Sequence, residues 1–215
     1  MTSSNARDAA THRSNLGREL AAHGWCTFFW DGPLPWLAKK AVSQTRNDGQ
    51  PRTEHWTRSQ IWLTRGLRSP FIRLVHKIAL EAGYRPPKLK QVRLQISTSE
   101  TSQNELPFLP HIDRDRYLKA LVYLNNVELS HGPIHMASAP PSNLEARRLE
   151  FSKDSKQMGE NLIHDVATHP ILGPSGTVIL FDTNTPHCAG SIDVGRTRCI
   201  LRFDFDQRWL RTSDR

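Results

Sequence analysis

The stretch Lys88-Leu-Lys-Gln-Val-Arg-Leu-Gln-Ile-Ser97 marks the point where the patterning of the chain changes from helical to extended. From Gln91 to Ser97 polar and apolar side chains alternate one by one, which is the period of a strand with one buried face. Strands are also predicted in four later segments, which are 117–125, 132–137, 176–182 and 197–206. Several short strands in one half of a chain predict a β-sandwich or barrel.

The residues before this stretch are patterned mainly as helices. Apolar residues at helical spacing predict three helices, over 6–23, 35–46 and 70–82. The last of them is bounded by Pro70 and Gly83, and the aromatic run Trp25–Trp30 predicts one short strand. We therefore expect a mainly helical layer over 1–87 outside a β core, and a polar, partly helical insertion over 140–174 that interrupts the strands.

Length and composition suit a single domain. The chain has 215 residues, of which 37% are hydrophobic, enough for one core and one domain spanning 1–215. No apolar run approaches the roughly 18 residues that a bilayer span needs, and the first residues lack a signal-peptide pattern, so we expect no membrane partner. The three cysteines form no CxxC pair, which argues against a disulfide framework and favours a cytoplasmic location.

The net charge of +8 is unevenly distributed along the chain. The range Lys39–Arg73 holds eight Lys and Arg residues but only two acidic ones. Such a region either attracts an anionic partner, such as nucleic acid, phosphate or a carboxylate substrate, or forms a solvated basic face. Because this region has no run of five Lys or Arg residues, nucleic acid is the minor alternative. The sequence leaves the oligomeric state open.

The candidate catalytic residues begin with the motif His111-Ile-Asp113. On a strand, side chains two residues apart point to the same side, so this imidazole and carboxylate can reach one metal ion. His187 offers a third ligand after a predicted strand and the turn Thr183–Pro186. Two His and one carboxylate form the facial triad of non-haem Fe(II) oxygenases, although zinc accepts the same ligands.

A basic residue helps to choose between these metals. Arg198 stands eleven positions after His187, at the start of a predicted strand. A guanidinium can hold a carboxylate through two parallel hydrogen bonds, and 2-oxoglutarate needs such an anchor when a metal chelates its other end. A zinc hydrolase has no such need, so the combination favours Fe(II). Arg196 is close enough to compete for this role, and the spacing favours Arg198.

The order of His-x-Asp, a later His and an Arg at His+11 resembles the Fe(II)/2-oxoglutarate dioxygenases, and within them the phytanoyl-CoA dioxygenase-like subfamily. The segment Gly176-Thr-Val-Ile-Leu-Phe-Asp-Thr-Asn-Thr-Pro-His187 is similar to the subfamily pattern Gly-Asp-x-x-x-Phe-Asp … His. Gly132-Pro-Ile134 resembles the subfamily's strand after the His-x-Asp motif. The resemblance covers about 88–206 and implies a mainly β fold, a double-stranded β-helix or jelly roll, flanked by the N-terminal helices.

The resemblance also implies the roles of the site residues. His111, Asp113 and His187 would bind Fe(II) and be catalytic, Arg198 would bind 2-oxoglutarate as cosubstrate, and O2 would be the oxidant. Many members carry a hydroxyl two residues beyond the Arg, whereas this chain has Ile200. The distal carboxylate would then take its second partner from one of three residues, Tyr123, Thr98 or Ser97.

Candidate substrate residues lie on the polar face of the stretch 88–97, which either lines a pocket or faces solvent. The resemblance places an early strand near the substrate and so favours the pocket, with Gln95, Arg93 and Ser97 as candidates. Arg202 shares a face with Arg198 by alternation. It either meets an acidic substrate group or pairs with Asp204, and the ion pair is the favoured interpretation.

The expected function is that of a dioxygenase that hydroxylates, or otherwise oxidises, a small organic substrate and releases succinate and CO2. One alternative is the same chemistry on nucleic acid or protein, as in demethylases and hydroxylases. Others are a non-catalytic metal-binding jelly-roll protein and a zinc hydrolase. Both of these leave Arg198 without a role.

Overall fold

The structure, a computed structural model, describes residues 15–32, 52–55, 65–99, 108–138, 144–146, 148, 163 and 166–206. The described helices are α1 (Leu16–His23) and α2 (Arg65–Glu81). The described strands are β1 (Trp25–Phe29), β2 (Arg52–His55), β3 (Leu89–Thr98), β4 (Leu118–Tyr123), β5 (Ile134–Met136), β6 (His169–Ile171), β7 (Thr177–Asp182), β8 (His187–Ala189) and β9 (Thr197–Phe205). Among these residues no helix is both long enough and apolar enough to cross a membrane.

The strands form two antiparallel sheets. The larger sheet has the order β1-β7-β4-β9-β3-β2, and the smaller one has the order β6-β5-β8. From β4 onward the chain passes back and forth between the sheets: β5 and β6 lie in the smaller sheet, β7 returns to pair with β4, β8 lies in the smaller sheet, and β9 returns to the larger one. This is the expected double-stranded β-helix, and the fold prediction is confirmed.

One face of the larger sheet packs against the two helices. Phe71, Val75 and Ile78 recur at helical spacing on α2 and are buried together with Leu16 and Leu20 of α1. They meet the outward side chains of the sheet, and the ring of Phe71 lies 4.7 Å from that of Phe203 on β9. The helical layer therefore covers the face of the larger sheet that points away from the smaller sheet.

The other face of the larger sheet looks toward the smaller sheet and lines the interior of the jelly roll. Its apolar side chains form a second core cluster that includes Leu121, Tyr123, Ile179, Phe181 and Ile200. Because both faces are covered, β4 and β7 are buried at every position. Their sequences are accordingly almost continuously apolar rather than alternating.

Several predictions of local structure are corrected. Helix α2 begins at Arg65, so Pro70 lies inside the helix rather than at its start. A proline inside a helix removes one hydrogen bond and crowds the carbonyl four residues earlier, at a cost of about 3 kcal/mol. The burial of Phe71, Val75 and Ile78 offsets this cost and stabilises the helix around it. The predicted helix 35–46 and residues 6–14 of the first one lie outside the described residues.

Three described strands escaped prediction: β2, β6 and β8. They have three or four residues each, too few for a periodic pattern. Strand β6 falls within 140–174, so the end of the predicted insertion belongs to the smaller sheet, where it pairs with β5.

Candidate active site

Backbone pairing brings the two candidate histidines together. His111 and His187 form an isolated antiparallel bridge, in which each amide donates to the other's carbonyl at 3.0 and 2.9 Å. The amide of Asp113 donates to the carbonyl of Thr183 at 3.1 Å. The His-x-Asp segment is thus fixed along the end of β7 and the start of β8, and all three candidate ligands share one end of the jelly roll.

The side chains of the three residues converge. Nδ1 of His111 lies 2.8 Å from the carbonyl of Leu109, and Nδ1 of His187 lies 2.9 Å from the carbonyl of Thr185. A carbonyl only accepts, so these contacts assign the proton to Nδ1 and leave the Nε2 lone pairs open. The two Nε2 atoms lie 3.8 and 3.5 Å from Oδ1 of Asp113, and the three ligand atoms all lie within 4.8 Å of one another.

The electrostatics of the triad suit a divalent cation. Burial, followed by the neighbouring His187, lowers the pKa of His111 to about 4, so this ring is neutral at pH 7. Burial alone would raise the pKa of Asp113, but the ammonium of Lys119 and the ring of His187 hold it well below its usual range. Two imidazole nitrogens and one carboxylate oxygen form a donor set that Fe(II) accepts.

Lys119 is a site residue that the sequence reasoning missed. Its Nζ lies 2.7 Å from Oδ2 of Asp113 and 5.3 Å from the ring centroid of Phe181. This contact occupies one carboxylate oxygen and leaves Oδ1 facing the histidines. The sequence did contain a signal for it. Lys119 is the one charged residue of the otherwise mainly apolar strand Leu118–Tyr123, and a buried lysine needs an acidic or hydrogen-bonding partner.

The triad opens into a cavity of about 170 Å³, and Arg198 also lines it. The Arg198 side chain comes from β9, is only 4% exposed, and donates from Nη1 to the carbonyl of Gly132. Its Nε is buried and makes no hydrogen bond within the described part of the chain. Burial lowers the pKa of Arg198, but a guanidinium starts so high that it stays cationic at neutral pH. A buried cation with an orphaned donor fits an anion as its missing partner.

The other residues considered for the cosubstrate occupy different places. Arg196 is exposed in the turn between β8 and β9. Ser97 pairs with Arg198 across β3 and β9 and lines the cavity. Thr98 follows it on the opposite face of β3. The hydroxyl of Tyr123 donates to the carbonyl of Ile171 at 2.8 Å and accepts from the amide of Ile134 at 3.1 Å.

The candidate substrate residues divide between two spaces. Gln95 and Ser97 line the cavity beside the triad, whereas Arg93 lies in an adjacent cavity, and Arg202 lines both. The polar face of β3 therefore points into the jelly roll. Arg202 makes the favoured ion pair, with its Nε 2.7 Å from Oδ1 of Asp204.

The fold is similar to that of several solved structures. The Pseudomonas putida prolyl-4-hydroxylase matches with a TM-score of 0.55 and 18% identity, over 91% of this chain and 99% of that one. EvdO2 from Micromonospora carbonacea var. aurantiaca, solved with 2-oxoglutarate, matches with a TM-score of 0.59 and 15% identity, over 93% of both chains. A third match is the epimerase SnoN from nogalamycin biosynthesis, solved in complex with Fe3+, alpha ketoglutarate and nogalamycin RO. It matches with a TM-score of 0.59 and 13% identity, over 91% of this chain and 84% of that one.

No family model and no curated protein matches the sequence. The structural similarity establishes that the chain has the fold of the 2-oxoglutarate-dependent non-haem oxygenases. The phytanoyl-CoA dioxygenase-like subfamily stays a prediction from the sequence motifs.

Proposed function

We propose that the protein is a non-haem Fe(II)- and 2-oxoglutarate-dependent dioxygenase that hydroxylates, or otherwise oxidises, a small organic substrate. One observation carries the proposal: a His-Asp-His triad lines the same cavity as a buried guanidinium, that of Arg198, which has no carboxylate partner among the described residues. The triad fits a divalent metal, and the guanidinium fits the far carboxylate of a chelating diacid. A zinc hydrolase would use the triad alone.

Each residue has a separate task in this proposal. His111, Asp113 and His187 would hold Fe(II) through Nε2, Oδ1 and Nε2, while the carbonyls of Leu109 and Thr185 keep the rings oriented. Lys119 holds the second oxygen of Asp113 and so favours one-oxygen binding by this carboxylate.

Arg198 would bind the distal carboxylate of 2-oxoglutarate, with Ser97 as the hydroxyl partner. Support for Ser97 is its position opposite Arg198 and on the cavity wall. Tyr123 already has two backbone partners, Thr98 faces the other way, and Arg196 is exposed.

With Fe(II) bound, 2-oxoglutarate and O2 would supply an oxidising reaction in which one oxygen atom ends in succinate, CO2 is lost and the substrate is oxidised. The chain itself binds and orients the reactants and limits the access of water, because the cavity lies between the two sheets.

The small volume of the cavity, about 170 Å³, supports a small substrate over a macromolecule. Two proteins with similar folds come from nogalamycin biosynthesis, an epimerase and a carbocyclase. Another is a prolyl-4-hydroxylase. Hydroxylation is our proposal among the reactions that this fold supports.

Anaerobic visible absorption tests the metal and cosubstrate together. We expect a weak charge-transfer band that appears only when both Fe(II) and 2-oxoglutarate are present, because it requires chelation. His111→Ala should lose the band, since it removes one metal ligand. Release of succinate would then serve to screen candidate small molecules.

The matched control is His131→Ala, which removes a histidine outside the triad. This variant should keep the band. A protein that retains zinc tightly and gives no band with Fe(II) and 2-oxoglutarate would contradict the proposal and favour the hydrolase or binding-protein alternatives.

A further inference from the structure

A second cavity, of about 200 Å³, adjoins the one that holds the triad. Its wall is strongly polar and includes Lys90, Arg93, Asp115, Tyr117, Arg202 and Asp204. Arg202 lines both cavities, so a molecule bound in the second one could extend past this side chain toward the triad.

The charges of the second cavity do not balance. Arg93 and Arg202 stand opposite each other on β3 and β9, and they share one carboxylate, that of Asp204. Nε of Arg202 lies 2.7 Å from Oδ1 of Asp204, whereas Nε of Arg93 lies 3.9 Å from Oδ2. Lys90 and Asp115 lie at the exposed rim and carry opposite charges, so the described residues of the wall leave one excess positive charge.

Of these two arginines, Arg93 has a hydrogen-bond donor that no described residue uses. Its Nη2 donates to Oε1 of Gln91 at 2.5 Å, but its buried Nε makes no hydrogen bond among the described residues. The 3.9 Å to Asp204 is too long for a hydrogen bond. Arg202 is held more firmly, because Nη2 also donates to the hydroxyl of Tyr117 at 2.8 Å. Asp204 and Tyr117 thus fix Arg202, while Arg93 keeps a donor for a ligand.

We propose that the second cavity is the subsite for an anionic group, a carboxylate or a phosphate, on the substrate. This inference rests on the proposed function and specifies the chemical class of its substrate. An anion between Arg93 and Arg202 would balance the excess charge and accept from the orphaned Nε. Arg198 and Arg202 lie four residues apart on β9, about 13 Å along a strand at roughly 3.3 Å per residue, so the two anion sites are distinct.

The test uses small probes and the full chain carrying Mn(II), which is paramagnetic. Benzoate and phenylphosphonate present the two candidate anions, and benzamide is the neutral match of benzoate. Nuclear relaxation of each probe by the bound Mn(II) reports binding near the triad, with and without 2-oxoglutarate. We expect both anions, or one of them, to bind at least tenfold more tightly than benzamide, and the stronger one identifies carboxylate or phosphate chemistry.

Variants assign the binding to the subsite. Arg93→Gln should weaken the anion's affinity about tenfold and leave 2-oxoglutarate binding unchanged. Lys88→Gln is the control, since it removes the same charge from an exposed position on the same part of the chain. If Arg93→Gln does not fold, Arg93→Lys serves instead. It keeps the positive charge but loses the planar pair of guanidinium donors, so the affinity for the anion should still fall several-fold.

Three results would overturn the inference. These are equal binding of benzamide and both anions, equal effects of Arg93→Gln and Lys88→Gln, and loss of 2-oxoglutarate binding in Arg93→Gln. A protein that binds the anions but not 2-oxoglutarate would contradict the proposed function instead, because the probes are also measured without the cosubstrate.

Discussion

Arg198 combines features that rarely occur together in a residue with only a structural role. Burial of a cation costs free energy unless a partner offsets it, and the described partner of Arg198 is one backbone carbonyl. Its Nε is buried and makes no hydrogen bond among the described residues, which fits the proposed role of anchoring 2-oxoglutarate. At this scale the chemistry depends on single side chains, and single substitutions test it.

Arg198→Gln should weaken 2-oxoglutarate binding by about 100-fold, because it removes a charge-assisted pair in a buried site. Calorimetric titration of 2-oxoglutarate into the Mn(II)-loaded chain measures this. Arg196→Gln is the control, and it should change the affinity less than about twofold because Arg196 is exposed. If the two variants exchange these results, Arg196 is the anchor.

Lys119→Met should tighten metal binding several-fold. The ammonium of Lys119 partly offsets the negative charge of Asp113 and repels a divalent cation nearby, and both effects vanish in the variant. Titration with Mn(II), followed by its electron paramagnetic resonance signal, gives the affinity. Lys77→Met, at an exposed position on α2, should leave it unchanged. Weaker binding in Lys119→Met would mean that orienting Asp113 matters more than its charge.

At the scale of elements, the short turn before β5 sets the position of Arg198. Gly132 has φ of +63°, a left-handed conformation that favours glycine, and its carbonyl accepts the Arg198 bond. A Cβ atom there would lie 2.4 Å from the carbonyl oxygen of Gly190, between β8 and β9. The turn is therefore closely packed as well as left-handed.

Gly132→Ala should lower the free energy of unfolding by about 2–4 kcal/mol, from backbone strain and a backbone clash together. It should also weaken 2-oxoglutarate binding, because the carbonyl beside Arg198 must move. Urea unfolding and the same calorimetric titration provide the two readouts. Gly195→Ala isolates the strain, since φ is +76° with open space around a Cβ, and it should cost about 1 kcal/mol without affecting the ligand. Equal costs in the two variants would argue against the clash.

At the scale of the whole molecule, Asp182 connects the helical layer to the loops of the site. The carboxylate is 1% exposed and accepts from the hydroxyl of Tyr84 at 2.8 Å and from Nε of Arg116 at 2.9 Å. Tyr84 follows α2, and Arg116 follows the His-x-Asp motif. Asp182 itself ends β7, five residues before His187, so one buried carboxylate holds three distant segments.

Asp182→Asn should lower the free energy of unfolding by about 3–5 kcal/mol, because it leaves the buried Arg116 without its closest counter-charge. Urea unfolding at pH 7 measures the effect. Asp193→Asn makes the same change at an exposed position and should stay within about 0.5 kcal/mol of the parent. Similar stability of the two variants would show that Asp182 contributes little to holding the segments together.

The fold class and the three candidate metal ligands were predictable from the amino-acid sequence alone. The alternation of polar and apolar side chains in β3 follows from the two-residue period of a strand, and the local pattern is enough to recognise it. The triad was predicted from covalent spacing and residue chemistry, and the structure places its three ligand atoms together. Strands of three residues, such as β8, carry no such pattern and became visible only through their pairing.

Which side chains come into contact across the fold is visible in the three-dimensional structure and not in the sequence pattern. Arg196 and Arg198 are two residues apart, so strand alternation places them on the same face and cannot separate them. Arg196 lies in the turn before β9 and is exposed, whereas Arg198 lies within β9 and is buried. Lys119 contacts Asp113 because the backbones of Asp113 and of Tyr117, just before β4, both hydrogen-bond to Thr183, and local spacing does not encode this pairing. Arg93 faces Arg202 because of the register between β3 and β9. Register and loop paths depend on long-range packing, and a pattern read along one strand does not contain them.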